Sequence, residues 1–330
     1  MIVWKVTVCF GVLALWVSPV RSQEPFASAC GEDTHIDAAK RTQIDAVAVS
    51  FVEAVLGSNS SAFDRLTKPA QAAITPPQFD AVGQMVRKFE PKNVTVQHTY
   101  LIQLKGKSPG RVVCATDLTK PDGWESLEAE SVPEQAYVLF SADMVNNKLA
   151  IAMWLIPDDK GWKIQDFRLN VSTLADKDSM QLLQLARTQQ ESKHSFNAAL
   201  LYAAAAQTAN RGPSFQLGIS QTISEEMAKL TVPDEIKGQP PFLWKTEETT
   251  YKVINLAPTA IGGKLYVVIN HEVSPWQSNE QVDGWNKQLL TYFKHRFPEY
   301  TDTFAGLVAR ATERGSNRGY GTVDETPSAK

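Results

Sequence analysis

The spacing of hydrophobic residues changes from a helical to a strand period near residue 94. Of all features of the sequence, this change most limits the folds that the chain can adopt. Before it, Ile44, Val47, Phe51 and Val55 recur at the spacing of one helix face. After it, residues 94–104 alternate between faces and are rich in β-branched and aromatic side chains, which is typical of a strand. Because helices come first and consecutive strands follow, the pattern predicts an α+β layer fold, in which a curved antiparallel sheet packs on helices.

Turn and capping signals divide residues 35–170 into further elements. Thr75-Pro76-Pro77-Gln78 predicts a helix start, because Thr75 can cap, Pro76 suits the first turn and Gln78 can return a bond to the cap. Residues 119–134 are polar and predict a loop. Further strands are predicted over residues 111–118, 136–144, 148–156 and 162–169, and the last two form a hairpin.

Three features together resemble the NTF2-like superfamily over about residues 35–170: the long first helix, the helix opened at Thr75, and the closing hairpin. The hairpin stretch Gly161-Trp162-Lys163-Ile164-Gln165-Asp166-Phe167 is the most suggestive part. The resemblance implies a cone-shaped fold with a pocket between sheet and helices. Members of that superfamily include enzymes, binding modules and domains of unknown role, so the resemblance by itself assigns no reaction.

The rest of the chain predicts a helical connector and a second, smaller domain. Residues 173–236 are largely helical, and the stretch 197–202 is similar to one helix of a tetratricopeptide repeat. Such arrays need about three repeats, so a connector is the favoured interpretation. Residues 237–325 predict a small α+β domain of ββαββ order with its helix over 279–297, and residues 326–330 form a polar tail. The first domain is taken as residues 35–172.

The first 22 residues predict a cleavable secretory signal peptide. Lys5 gives a basic start, an uncharged apolar run extends over residues 6–17, and Ser22 suits the position before the cut, so that Gln23 begins the mature chain. An uncleaved anchor is the alternative, but the run is shorter than the roughly 20 residues that span a bilayer. We expect a periplasmic or secreted protein with a leader over residues 23–34 and no membrane span after processing.

The net charge limits the kinds of partner that the chain can bind, and the cysteine content predicts a disulfide. The net charge is −3 with neutral histidines, and loss of Lys5 and Arg21 with the signal peptide lowers it to −5, which is unfavourable for nucleic acid. Of three cysteines, Cys30 and Cys114 survive processing. In an oxidising compartment they predict one disulfide, with two free buried thiols as the alternative.

The sequence contains no strong catalytic, cofactor-binding or metal-binding motif. No two histidines stand four residues apart, so the zinc motif HExxH is absent, as are CxxC, a Walker loop and a Gly-x-Ser-x-Gly elbow. The adjacent pair His271-Glu272 lies on a predicted strand, where neighbours face opposite sides and cannot hold one ion. We therefore expect neither a cofactor nor a metal.

The weak catalytic candidates are one histidine and three aspartates. His98 lies in mid-strand, and Val96 and Tyr100, taken as its neighbours on one face, are apolar, so His98 is expected to face a buried space. In NTF2-like enzymes a histidine or carboxylate inside the cone acts as the general base, which the resemblance would imply here. The aspartates are Asp117 and Asp143 near strand ends, and Asp166, which can pair with Arg168 on its own face.

Two functional classes remain open. The favoured one is an exported, non-catalytic binding or assembly protein that uses the pocket or the sheet face for a small ligand, an envelope protein or a second copy of itself. The alternative is a lyase, isomerase or hydrolase of the NTF2-like kind. A deep cone with His98 and a carboxylate converging on it would favour the enzyme, whereas a cone filled by apolar side chains would favour binding.

Overall fold

The computed structural model describes residues 28–57, 59, 61–104, 109–115, 117, 119–246 and 249–326. The signal peptide and its cleavage site between Ser22 and Gln23 lie outside the described residues. Within the described part the chain forms eight α-helices and thirteen strands, so the predicted α+β class is confirmed. The described residues divide into two compact units: an N-terminal unit of residues 28–179 and 207–224, and a C-terminal unit of residues 180–206 and 225–326.

The elements over residues 28–227 follow in chain order. The chain enters through β1 (Ser28–Glu32), followed by α1 (Ala38–Leu56), α2 (Ser61–Asp64), α3 (Lys68–Ala73) and α4 (Pro76–Arg87). Six strands come next: β2 (Lys92–Leu104), β3 (Gly110–Ala115), β4 (Trp124–Ala129), β5 (Glu134–Met144), β6 (Asn147–Asp158) and β7 (Gly161–Val171). After α5 (Ser179–Glu191) and α6 (Ser195–Ala209), the chain adds β8 (Phe215–Leu217) and α7 (Gly218–Met227). Most of α5 and of α6 belongs to the C-terminal unit.

Capping residues and a turn glycine explain where several helices and strands begin. The Asp37 carboxylate accepts a bond from the Lys40 backbone N–H and caps α1. At the start of α4, the Gln78 side chain accepts a bond of 2.9 Å from the Thr75 N–H, as the capping signal predicted. The turn between β6 and β7 contains Gly161 at φ +121°, a conformation that a side chain would strain.

The larger sheet of the N-terminal unit has the order β1-β2-β5-β6-β7, and all its neighbours are antiparallel. The four helices cover one face. Between them and the sheet, Phe51 contacts Phe79 and Phe167 at ring-centroid distances of 6.1 and 5.2 Å, and Phe63 contacts Phe79 at 5.8 Å. These edge-to-face rings, with the aliphatic side chains around them, fill the space between helices and sheet.

A second, three-stranded sheet of order β3-β4-β8 covers part of the opposite face. Residues 119–134 were expected to be a loop, and this prediction is wrong, because the segment contains β4. Leu127 and Ala129 are buried on one face of β4 while Glu128 is exposed, and the short alternation was hidden among charged residues. Phe215 of β8 completes the layer and contacts Tyr100 and Tyr137 of the larger sheet.

The predicted disulfide is present and joins the two sheets. Cys30 of β1 and Cys114 of β3 are bonded, with their Cα atoms 5.6 Å apart and 84 residues between them in sequence. Cys30 lies within a strand, since it pairs in register with Ile102 of β2. The segment expected to be a leader therefore contributes an edge strand of the sheet.

The C-terminal unit has its own sheet, of order β13-β12-β11-β10-β9. Its elements are β9 (Phe242–Lys245), β10 (Thr250–Ile261), β11 (Lys264–Val273), α8 (Asn279–Arg296), β12 (Gly306–Glu313) and β13 (Gly319–Glu325). Only β11 and β12 pair in parallel among these strands, because α8 forms the crossover between them. Phe196 of α6 packs against Phe293 and Phe297 at the end of α8. Among the described helices, none combines the length and the hydropathy that crossing a bilayer requires.

Candidate functional site

A β-bulge in β2 decides where His98 points. The register of β2 against β5 shifts between Val96 and His98, so the side chains on either side of the bulge fall on opposite faces. Val96 packs into the core beneath the helices, whereas the ring of His98 lies 6.1 Å from that of Tyr100 on the face of the smaller sheet. The expectation that Val96 and His98 share a buried face is wrong, and the side chain of His98 is 45% exposed.

His98 faces two consecutive carboxylates, and we call Glu32, Asp33 and His98 the acid–histidine cluster. The imidazole Nδ1 lies 3.1 Å from Asp33 Oδ2 and 3.3 Å from Glu32 Oε1. Glu32 ends β1, and Asp33 begins the short 3-10 helix Asp33–His35 with φ at +44°, a left-handed conformation that aspartate tolerates better than most residues. The end of β1 therefore delivers both acids to one ring.

A set of outer contacts fixes the orientation of Asp33. Its Oδ1 accepts a bond of 3.1 Å from the Thr99 N–H and lies 3.1 Å from a guanidinium nitrogen of Arg41. Arg41 also pairs with Asp45 at 3.5 Å, and the Thr99 hydroxyl donates to Asp45 at 2.6 Å. With Oδ1 held in this way, Oδ2 is left directed at His98.

Glu125 of β4 adds a third carboxyl group to this region. Burial, followed by repulsion from Glu32, raises the pKa of Glu125 to about 7, while the charge of His98 and a hydrogen bond with Tyr100 act in the opposite direction. The pKa of the Tyr100 hydroxyl is also raised, mainly by burial and then by Glu125. Near neutral pH, Glu125 therefore exchanges its proton beside a half-exposed imidazole.

We expect Glu125→Gln to stabilise the protein increasingly as the pH rises. In the folded state this carboxyl keeps its proton up to about pH 7, whereas the unfolded chain loses it near the ordinary pKa of 4.5. The folded state thus binds more protons over this interval, and the stability that Glu125 contributes is full below about pH 4.5 and is lost as the pH rises through 7. Thermal unfolding should show that the melting temperature of Glu125→Gln, relative to that of the wild type, increases from pH 5 to pH 8.

The exposed Glu128 on the same strand supplies a matched control for this measurement. Glu128→Gln should follow the wild-type pH profile. Parallel profiles for Glu125→Gln and the wild type would contradict the assignment of a raised pKa to Glu125.

Asp117 lies in a loop and is engaged in a local turn. Its Oδ1 accepts bonds from the N–H of Thr119 at 3.0 Å and from the Thr119 hydroxyl at 2.6 Å, and Oδ2 lies 3.2 Å from Lys120. These bonds, led by the hydroxyl of Thr119, lower the pKa of Asp117. A carboxylate held in this way stabilises the loop.

The other two aspartates named as weak candidates have surface partners. Asp143 of β5 accepts a bond of 2.8 Å from Asn93, and Asp166 of β7 pairs with Arg168 at 3.0 Å, as the sequence suggested. Among the described residues, neither is bonded to or paired with His98. Of the four candidates, the structure gives only His98 acidic partners, and those partners are Glu32 and Asp33.

The acids that the sequence analysis missed lie near the disulfide between β1 and β3. Glu32 stands two residues beyond Cys30 in β1, and Glu125 of β4 pairs in register with Cys114 of β3. The two carboxylates Glu32 and Asp33, close in sequence to Cys30, were the only available signal. Their meeting with His98 follows from strand pairing across tens of residues.

The C-terminal unit contains a buried polar network around His271. Its Nε2 lies 2.6 Å from Asn286 Oδ1, the Asn286 amide donates to the Thr322 hydroxyl at 3.0 Å, and that hydroxyl donates to Asp283 at 2.7 Å. Burial lowers the pKa of His271, which favours the neutral ring. The network ties α8 to β11 and β13, which is a structural role.

The same unit has an open pocket of about 450 Å³ beside α5 and α6, and the residues that line it are charged or polar. Arg187 in its wall forms a two-pronged pair with Glu226 at 2.6 and 3.0 Å. The Tyr202 hydroxyl donates to Gln190 at 2.7 Å and contacts Glu226 at 3.0 Å. The charged groups of Arg187 and Glu226 thus satisfy each other.

No protein-family model, curated protein or solved structure matches this chain. The NTF2-like resemblance therefore stays a prediction, and the function has to be argued from the geometry of the site.

Proposed function

We propose that this chain is an exported, non-catalytic binding protein whose ligand contacts the acid–histidine cluster. The observation that carries the proposal is the packing between helices and sheet, where Phe51, Phe63, Phe79 and Phe167 interlock. In this proposal residues 35–172 are an NTF2-like domain whose cone is filled, and residues 237–325 are a small α+β domain in which β9 precedes the predicted ββαββ order. Titratable side chains gather on the other face of the sheet, where a ligand can reach them.

The charges in and around the acid–histidine cluster indicate the chemistry of the ligand. Glu32, Asp33, Asp45 and Glu125 contribute carboxyl groups, against which the described neighbours supply the guanidinium of Arg41 and the ring of His98. A cationic ligand offsets this excess of negative charge, whereas an anion would increase the repulsion. The ligand is therefore a small cation or a basic group on an envelope protein, and nucleic acid is not expected.

Export is supported by the disulfide together with the predicted signal peptide. A disulfide that joins two sheets persists in a periplasmic or extracellular compartment, whereas cytosolic proteins keep most thiols reduced. The proposed mature protein begins at Gln23 and reaches β1 within a few residues.

The structure is unfavourable for a homodimer that pairs through the open face of the larger sheet. NTF2-like sheets pair through an open face, but here Tyr100, Tyr137 and Trp154 on that face are buried beneath the smaller sheet and Phe215. A homodimer through this face would have to displace β8. We therefore favour a ligand at the cluster over a second copy on the sheet.

The second candidate function is a small-molecule lyase, isomerase or hydrolase. The observation that favours it is Glu125, whose pKa of about 7 suits a general base, close to His98. The same two groups are expected in a cation-binding site, and the filled interior leaves the reacting substrate without an enclosed pocket on the helix side.

A comparison of the wild type with His98→Asn tests the proposal. Thermal shifts would be measured with a panel of cationic probes (divalent metal chlorides, spermidine and arginine), and turnover with model lyase, isomerase and hydrolase substrates. We expect at least one cation to raise the melting temperature of the wild type and not of the variant. Turnover that disappears in His98→Asn would instead support the enzyme, and an uncleaved chain in the cytoplasm would overturn export.

A further inference from the structure

We propose that the acid–histidine cluster is a zinc-type metal site in which Glu32, Asp33 and His98 supply three protein ligands. This inference rests on the proposed function and names its ligand class. No metal motif is visible in the sequence, because the three donors come from two segments about 65 residues apart.

Two of the distances within the cluster already match the separation between ligand atoms at one tetrahedral metal ion. Zinc bonds to nitrogen and oxygen are about 2.0–2.1 Å, so two ligand atoms at a tetrahedral metal are about 3.3–3.4 Å apart. The observed separations from His98 Nδ1 are 3.1 and 3.3 Å, and all three donor atoms lie within 4.8 Å of one another. Small side-chain rotations are sufficient to bring the donors around one ion.

Hydrogen bonding alone leaves the cluster incompletely satisfied. Nδ1 of His98 carries at most one proton, yet it faces oxygens of two different carboxylates. The contact of the Glu32 carboxylate is with this same nitrogen, and its side chain is only 23% exposed. Arg41 pairs with Asp33 and with Asp45 but not with Glu32. A divalent ion between the three donors would compensate the remaining negative charge of the Glu32 and Asp33 carboxylates.

The donor set and the surroundings favour zinc over calcium or magnesium. One imidazole nitrogen with two carboxylate oxygens suits zinc and similar transition metals, whereas calcium and magnesium prefer oxygen ligands only. Thr99 and Arg41 contact the other oxygen of Asp33 and orient its carboxylate, as hydrogen-bond partners of metal ligands commonly do. The exposed side of His98 leaves room for water as a further ligand.

Isothermal titration of zinc chloride into the metal-stripped, tag-free protein tests the inference. We expect one zinc ion per chain, and an affinity at least about tenfold weaker in Glu32→Gln and in His98→Asn. His194→Asn is the matched control, since His194 also pairs with a carboxylate, Asp302, at 3.0 Å. That variant should bind zinc as the wild type does. Magnesium and calcium should give no saturable binding.

Two further measurements separate a loss of metal binding from a loss of folding. Far-UV circular dichroism of each variant establishes that it is folded, and cobalt in place of zinc should give the visible bands of a four-coordinate ion in the wild type and not in His98→Asn. Absence of saturable zinc binding, or equal affinity in the wild type and both cluster variants, would overturn the inference. If spermidine shows a His98-dependent shift and zinc does not, the metal site fails while the proposed function stands.

Discussion

Replacing Cys30 and Cys114 together with serine should lower the free energy of unfolding by about 4–5 kcal/mol. The disulfide closes a loop of 84 residues, and breaking it returns the corresponding conformational freedom to the unfolded chain. The effect is also structural, because β1 lies at the edge of the larger sheet and the disulfide ties it to β3. Urea unfolding of the double variant and the wild type, followed by circular dichroism, measures the difference.

A reducing agent provides the internal control for this experiment. Dithiothreitol should bring the wild type to the stability of the double variant and should leave that variant unchanged. Because Glu32 and Asp33 follow Cys30 at the end of β1, reduction should also weaken cation binding at the acid–histidine cluster. A loss below about 1 kcal/mol would mean that β1 is held mainly by its pairing with β2, contrary to our expectation.

The second large effect concerns the aromatic packing between helices and sheet. Phe51→Ala should lower the free energy of unfolding by about 3–5 kcal/mol, because Phe51 is 1% exposed and its removal leaves a cavity against Phe79 and Phe167. Phe89 is 47% exposed and serves as the control, so that Phe89→Ala should change stability by about 0.5 kcal/mol or less. Chemical unfolding of both variants checks the contrast.

This measurement also bears on the choice between binding and catalysis. A small cost for Phe51→Ala would indicate that the space between helices and sheet is loosely filled, which is what a pocket for an NTF2-like reaction requires. A large cost is expected of a closed core. The prediction therefore tests the observation on which the proposed function depends.

Features that depend on local spacing could be predicted from the sequence. The cap of α4 follows from Thr75 and Gln78, which lie three residues apart, and its physics acts within one helical turn. The disulfide could be expected because two cysteines remain once the signal peptide is removed. By contrast, β4 was missed because its buried face shows only in Leu127 and Ala129, and its partner β8 comes from nearly 90 residues later.

The chain by itself thus determined its α+β class, many helix and strand positions, and the identity of its disulfide, because periodicity and caps act over a few residues. Only the tertiary structure decided where the chemistry lies. One extra residue at the bulge after Val96 turned His98 away from the core, and a register across two strands brought Glu32 and Asp33 to it. Register and bulges depend on the packing of whole faces, so no spacing in the sequence could have shown that these three side chains meet.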